Sequence, residues 1–489
     1  MDPVAIRSQH RSRVNILKPI LRAYALGYLS STTPKIISCL RRIQDKRLSN
    51  KDRLKELLHT LTNALRLESF PTFCALLIGG STIAPLILSC CLEHVRRNFK
   101  LDASAYTSQL MRIIRFVSAF LSAWYSFQLL NKQPIRIQGK PKNSDDCTSM
   151  QSAGELAMVR EAPNANSQFV GRSMDLTLFS LTRAADSIVC IGWQQWRRWR
   201  KGRNHWTWAE RVAPKLANAG AFAASAAIVM WAWFYMPERL PRSYEKWIGE
   251  VAKVDSRLIE ALRGARRGVL VYGKDTGQAP LLQSMCKDYG WPLDWGDPSS
   301  TVPIPCEMVH MGCGPSCEKH AVSRFARTFK FACATYIPLQ LLLRLRKLKS
   351  MSSLKHALST ALRSSAFLAS FVSMFYYSVC LARTRLGPKI FARDTITPMM
   401  WDSGLCVGAG CLMCGWSILI ESAQRRQEIA LFVAPRAAAT VMPRFYDKKY
   451  LYRERITFAI SAAVLLTCAQ ERPEMVRGVF GRVAASVLR

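Results

Sequence analysis

A chain of 489 residues is long enough for roughly two to four ordinary domains. Its residues are 49% apolar, yet it carries 69 Lys+Arg against 33 Asp+Glu, a net charge of +36 at a mean hydropathy of +0.02. Soluble enzymes rarely combine the two, whereas apolar spans in lipid joined by short basic loops do. Nucleic-acid binding, the other common source of such basicity, is disfavoured because the charges alternate with span-length apolar stretches.

The opening stretch, MDPVAIRSQHRSRVNILKPI, has no apolar core of the kind a secretory signal needs. It reads as a basic cytosolic tail or, being free of acids from Pro3 to Gln44, as a mitochondrial transit peptide. The 16 cysteines are then expected to be reduced, with Cys74, Cys90, Cys91, Cys380, Cys406, Cys411 and Cys414 acting as small packing residues inside apolar segments.

The first strong span is 70–92, uncharged over 23 residues. That is ample for a hydrocarbon core of about 30 Å. Segment 116–130 follows. Segments 217–236, 364–382 and 403–420 are equally apolar, and 217–236 ends in an aromatic cluster suited to the headgroup region. Four weaker stretches, 23–40, 174–193, 328–343 and 428–442, bring the expected number of spans to between five and nine, with 456–469 read as a stretch that can lie on the membrane surface. Within 403–420, Gly404, Gly408, Gly410 and Gly415 predict a face on which another helix packs closely. Residues 131–172 lack periodicity and read as a flexible linker. In 242–324, Trp247, Val251, Val254, Leu258 and Leu262 keep helical spacing between interspersed acids, which predicts a small folded extramembrane module.

Two stretches recur. LHTLTNALRLESF (58–70) matches KHALSTALRSSAF (355–367) at an offset of 297 residues, and MDLTLFSLTRAA (174–185) matches QEIALFVAPRAA (427–438) at an offset of 253. The linker at 131–172 accounts for nearly all of the difference. The expected architecture is therefore an all-α, polytopic membrane helix bundle with an internal duplication: a first repeat over 1–200, an extra span plus module over 201–324, and a second repeat over 325–489. Counting five crossings before the second repeat predicts inverted topology for the two copies.

IPCEMVHMGCGPSC (304–317), the apolar stretch after it and ESAQRRQEIALFVAPRA (421–437) resemble the transmembrane protein 135 family in its fungal form. That family is distantly similar to the mitochondrial import-channel and peroxisomal membrane protein superfamily, whose units are four-helix bundles. The resemblance implies a multi-pass protein of a peroxisomal or mitochondrial membrane with a role in organelle dynamics, lipid handling or solute passage. It carries no catalytic residue.

No Walker loop, Gly-x-Ser-x-Gly elbow or His-Glu-x-x-His stands in the sequence, so the chain is not expected to be an enzyme. Arg183 and Arg436 occupy equivalent places in the two copies, near Asp175, Glu421 and Glu428. They read either as lining a path for an anionic solute or lipid headgroup, or as interfacial residues reaching to phosphates. Trp193, Trp196 and Trp199 interleave with Arg197, Arg198 and Arg200 between apolar segments, the pattern of an interfacial anchor on an anionic leaflet.

Cys306, His310, Cys313, Cys317 and His320 are five potential ligands with the spacing C-x3-H-x2-C-x3-C-x2-H. Thiolates and imidazoles suit zinc, which Cys306, Cys313, Cys317 and one His would hold. A disulfide from Cys313 to Cys317 or Cys306, or plain structural thiols, are the other readings. No other cofactor is expected. The expected function is an organellar transporter- or channel-like protein for lipid or small solutes; the alternative is a non-transporting scaffold that recruits partners through 242–324. Membrane lipids, and protein partners at the module, are the expected contacts; nucleic acid is not.

Overall fold

The structure, a computed structural model, describes residues 3–42, 58–59, 61–99, 108–132, 135–136, 168–171, 173–201, 207–343, 350–392, 394–443 and 446–488. The expected linker falls mostly outside them. Among them the chain is almost entirely helical, an all-α bundle. Its main helices are α1 (Pro3–Arg42), α2 (Phe70–Phe99), α3 (Ser108–Leu130), α4 (Met174–Lys201), α5 (Trp208–Tyr235), α6 (Arg242–Ala252), α7 (Ser256–Arg267) and α8 (Ala279–Tyr289). After a loop come α9 (Cys317–Leu343), α10 (Met351–Cys380), α11 (Cys406–Cys414), α12 (Ala423–Val441), α13 (Leu451–Glu471) and α14 (Gly478–Leu488).

Among the described residues, five stretches are long and apolar enough to cross a membrane: Phe70–Cys91, Gln109–Leu130, Trp208–Tyr235, Met351–Ile390 and Pro398–Ile420. They contain the five spans read most strongly from the sequence, and they fit a multi-pass membrane protein. The weaker stretches and 456–469 all lie in helices, within α1, α4, α9, α12 and α13, but none has a span-like composition.

The chain divides into two compact units. Unit 1 comprises residues 1–140, 164–205 and 443–489. In it α1 packs on α2, α2 on α3, α3 on α13, and α13 on α4. Three short antiparallel strands, Ile135–Arg136, Gln168–Val170 and Tyr446–Asp447, stitch the C-terminal segment to the region around α4. The core centres on Phe127 and Phe458, whose rings lie 5.0 Å apart, with Phe73 and Ala123 beside them. Unit 2 holds residues 206–442. There α9 packs on α10, α10 on α11, α11 on α5, and α5 on α12. This grouping departs from the expected boundaries: residues 443–489 complete the N-terminal unit, and the span α5 belongs to the same unit as the module and the helices of 317–442.

α5 begins with a capping box, in which Thr207 accepts from the Glu210 backbone and Glu210 accepts from the Thr207 backbone. It ends at Met236 (φ −139°, ψ 56°), followed by a turn at Pro237–Arg239. α13 ends the same way, at Arg472 (φ −140°, ψ 67°) before a turn at Pro473–Met475. Ser225-Ala226-Ala227 and Pro237-Glu238 of the first recur as Ser461-Ala462-Ala463 and Pro473-Glu474 of the second.

Of the glycines expected to admit a neighbouring helix, two do so. A Cβ at Gly410 would meet Phe375 and Val379 of α10 at 2.8 Å, and one at Gly415 would meet the Ala223 backbone of α5 at 2.5 Å. Gly408 has its nearest neighbour, Trp231, at 3.6 Å, and Gly404 instead bends the chain at φ 151°.

The periodic row from Trp247 to Leu262 is two helices. Lys253 takes a left-handed conformation (φ 47°) that ends α6, and the Asp255 side chain caps α7 by accepting from the Arg257 backbone. α7, α8 and the loop after them close over a small core of Leu270, Leu282, Met285, Ile304 and Met308, each at most 3% exposed. This is the folded segment expected at 242–324, and it delivers the chain to the cysteine- and histidine-rich loop.

Candidate functional site

The loop that follows Ile304 makes one helical turn, Cys306–Val309, and then reverses through Met311 (φ 50°), Gly312 (φ 79°) and Gly314 (φ 87°). The reversal carries Cys317, the first residue of α9, back beside Cys306 and His310. One ligand atom from each of these three lies within 4.8 Å of the others, a group that could hold a metal ion. His310 is fully buried. Its Nδ1 stands 2.7 Å from the Gly314 carbonyl, which can only accept, so Nδ1 carries the proton and Nε2 the free lone pair. That lone pair faces Cys380 Sγ at 3.4 Å, at the end of α10. Burial pushes the Cys306 thiol up, and Arg383 pulls it back down.

The other two expected ligands are elsewhere. The Cys313 thiol donates to Ser323 Oγ at 3.7 Å. His320 stacks on His310, with ring centres 4.6 Å apart, and meets the Tyr376 ring edge-on. Burial, reinforced by Arg324 and His310, depresses its pKa to about 3. Cys380 was legible in the sequence only as a packing cysteine, because 62 residues of helix and loop separate it from Cys317.

Beside the cluster lies a buried ion pair that no sequence pattern announced. Arg383 donates to Asp402 through Nε at 2.5 Å and Nη2 at 2.8 Å, and through Nη2 to the Ile304 carbonyl at 2.6 Å. The Tyr272 hydroxyl donates to the same carboxylate and accepts from Ile304 N at 3.3 Å. Arg383 and Asp402 sit on π-helical turns, Leu381–Arg385 and Trp401–Leu405. The pair therefore ties two spans to the module's core at Tyr272 and Ile304.

The charged residues singled out by the apparent duplication have separate surroundings. In unit 1, Arg183 is buried in α4, donates to the Arg477 carbonyl at 3.3 Å and lies over the Phe179 ring at 5.3 Å. Asp175 is exposed in the first turn of α4. In unit 2, Glu421 is buried and accepts from Ser364 Oγ at 2.6 Å, with Arg425 at 3.6 Å. Arg436 and Glu428 are half-buried on α12. Arg436 acts on Tyr244, whose hydroxyl is pushed up by burial and pulled back by that charge. The last turns of α4 present Trp196, Trp199, Arg197 and Arg198 outward, with Trp193 and Arg200 half-buried; the Trp196 and Trp199 rings lie 5.2 Å apart, tilted by 42°, and Arg200 lies 5.9 Å from the Trp196 ring.

One feature of unit 2 was not foreseen. A cavity of about 410 Å³ lies among α5, α6, α9, α10 and α12. Its walls include Phe222, Trp233, Phe371, Phe375, Phe432 and Val433, and no charged residue lines it. Along α5 it runs from Phe222 to Phe234, about 18 Å at the helical rise. Tyr244 and Trp247 of α6, with Tyr336 and Tyr376, are among its lining residues that carry a polar atom. A hollow of this size and chemistry accepts an elongated apolar ligand.

Comparisons with protein-family models, with curated proteins and with solved structures find no match to this chain.

Proposed function

We propose that this multi-pass protein handles lipid, holding an acyl chain in the unit 2 cavity with its headgroup beside Tyr244, Trp247 and Arg436. One observation carries the reading: the hollow is walled by aromatic and aliphatic side chains without a charge. A path for polar solutes would need hydrogen-bonding groups along it, because an unpaired polar group costs several kcal/mol away from water. A transporter- or channel-like role in an intracellular organelle, peroxisomal or mitochondrial, follows from the resemblance to the transmembrane protein 135 family and takes lipid as its cargo.

The internal duplication belongs to the same proposal. Its support is the order of neighbours, α1–α2–α3–α13–α4 in unit 1 and α9–α10–α11–α5–α12 in unit 2. The motif at 58–70 leads into α2, sharing only Phe70 with it, while its match at 355–367 lies within α10; the second pair falls on α4 and α12, at matching places in these rows. The Ser-Ala-Ala and Pro-Glu matches add α5 and α13. In this reading each copy gives its fifth helix to the other unit.

The test is photo-crosslinking in vesicles that contain a phospholipid with a diazirine on its acyl chain. Adducts should concentrate on Phe371, Phe375 and Val433, and Ala226→Trp, which fills the hollow, should reduce them several-fold. Labelling spread evenly over outward residues such as Leu86 and Ile87, and unchanged by Ala226→Trp, would overturn the proposal and favour the scaffold reading.

A further inference from the structure

Independently of the cavity, we propose that Cys306, His310, Cys317 and Cys380 form a tetrahedral zinc site that pins the module's last loop to the end of the α10 span. Three features of the cluster point to a metal. The first is convergence: ligand atoms of Cys306, His310 and Cys317 lie within 4.8 Å of one another, and the Cys380 thiol reaches the His310 Nε2 at 3.4 Å. With Zn–S near 2.3 Å and Zn–N near 2.0–2.1 Å, the edges of a zinc tetrahedron measure about 3.6 Å between S and N and about 3.8 Å between two S. The His310–Cys380 edge already has that length, and the edges among Cys306, His310 and Cys317 need to draw in by about 1 Å.

The second feature is the histidine. Its Nδ1–H is committed to the Gly314 carbonyl at 2.7 Å, so Nε2 is left as a base pointing at the thiols. This outer hydrogen bond is the arrangement that orients metal-bound imidazoles. The left-handed residues Met311, Gly312 and Gly314, which bring that carbonyl round, are what the loop needs to wrap an ion.

The third feature is the donor set. Three soft thiolates and one imidazole select Zn²⁺ over hard cations, and four protein ligands close the coordination sphere as in structural sites. Binding converts three thiols to thiolates and releases three protons. The resulting centre carries one negative charge, with the Arg383 guanidinium acting on Cys306 beside it. The three thiols are free in the structure and available for this chemistry.

The experiment uses the full chain, purified in detergent without chelator. Elemental analysis should return about one zinc per chain for the native protein and for Cys313→Ser, and at least a several-fold loss for Cys380→Ser and Cys317→Ser. X-ray absorption on the native protein should show three sulfur and one nitrogen scatterer, a result that does not depend on any variant folding. No stoichiometric zinc in the native protein, or an absorption spectrum without sulfur ligands, would overturn the site. Zinc that survives Cys380→Ser but not Cys313→Ser would overturn the assignment of the fourth ligand.

Discussion

Arg383 and Asp402 show how much a single buried pair can hold in place. Both side chains are at most 4% exposed, and between them they bind two spans, Tyr272 and the Ile304 carbonyl. Removing one partner of such a pair strands the other charge, at about 3–5 kcal/mol, whereas replacing both with apolar residues is often close to neutral. Asp402→Ala should therefore lower the thermal midpoint of the detergent-solubilised protein steeply, and Arg383→Met with Asp402→Leu should recover most of the loss. Equal midpoints for Asp402→Ala and the native chain would show that the pair holds nothing. The pair was invisible in the sequence because Arg383 reads as one more basic residue flanking a span and Asp402 as a loop acid. Cys306, His310 and Cys317 were legible, since they crowd into a short, glycine-rich loop; Cys380 was not, because only folding brings α10 to that loop.

Helices were the most legible level. Long uncharged runs such as 70–92 can hardly be anything but spans, and all five strong ones stand in helices apolar enough to cross a membrane. What periodicity could not see was the break inside the Trp247–Leu262 row, where a left-handed Lys253 and a capping Asp255 divide one apparent stripe between two helices. Glycine spacing was informative in kind but not in position: close approach falls on Gly410 and Gly415, while the Gly404–Gly408 pair does other things. Gly415→Ala would push a methyl group into the Ala223 backbone of α5. It should destabilise unit 2 by about 1–3 kcal/mol, the usual range for overpacking. Gly408→Ala, with room around it, should lie close to the native protein. Thermal unfolding of the two variants side by side checks this; the reverse order would contradict the helix contacts described here.

At the scale of the whole molecule, unit 1 depends on a helix from a distant part of the chain. Phe458 of α13 packs against Phe73 and Phe127 at 5.8 and 5.0 Å. Removing residues 443–489 should therefore open unit 1 and speed its cleavage by protease, while fragments of 206–442 stay protected. Equal protection of both units after truncation would contradict that grouping. That grouping escaped sequence reading because the order of segments along the chain does not say which helices pack together. The apolar cavity escaped it for a related reason: its walls come from five helices, and none of them carries a pattern distinct from an ordinary buried face. The central claim, that this hollow holds an acyl chain, is tested most directly by native mass spectrometry of the full chain released from detergent. The account predicts phospholipid retained on the native protein and lost, at least several-fold, from Ala226→Trp. Equal retention by both, or none by the native chain, would contradict it.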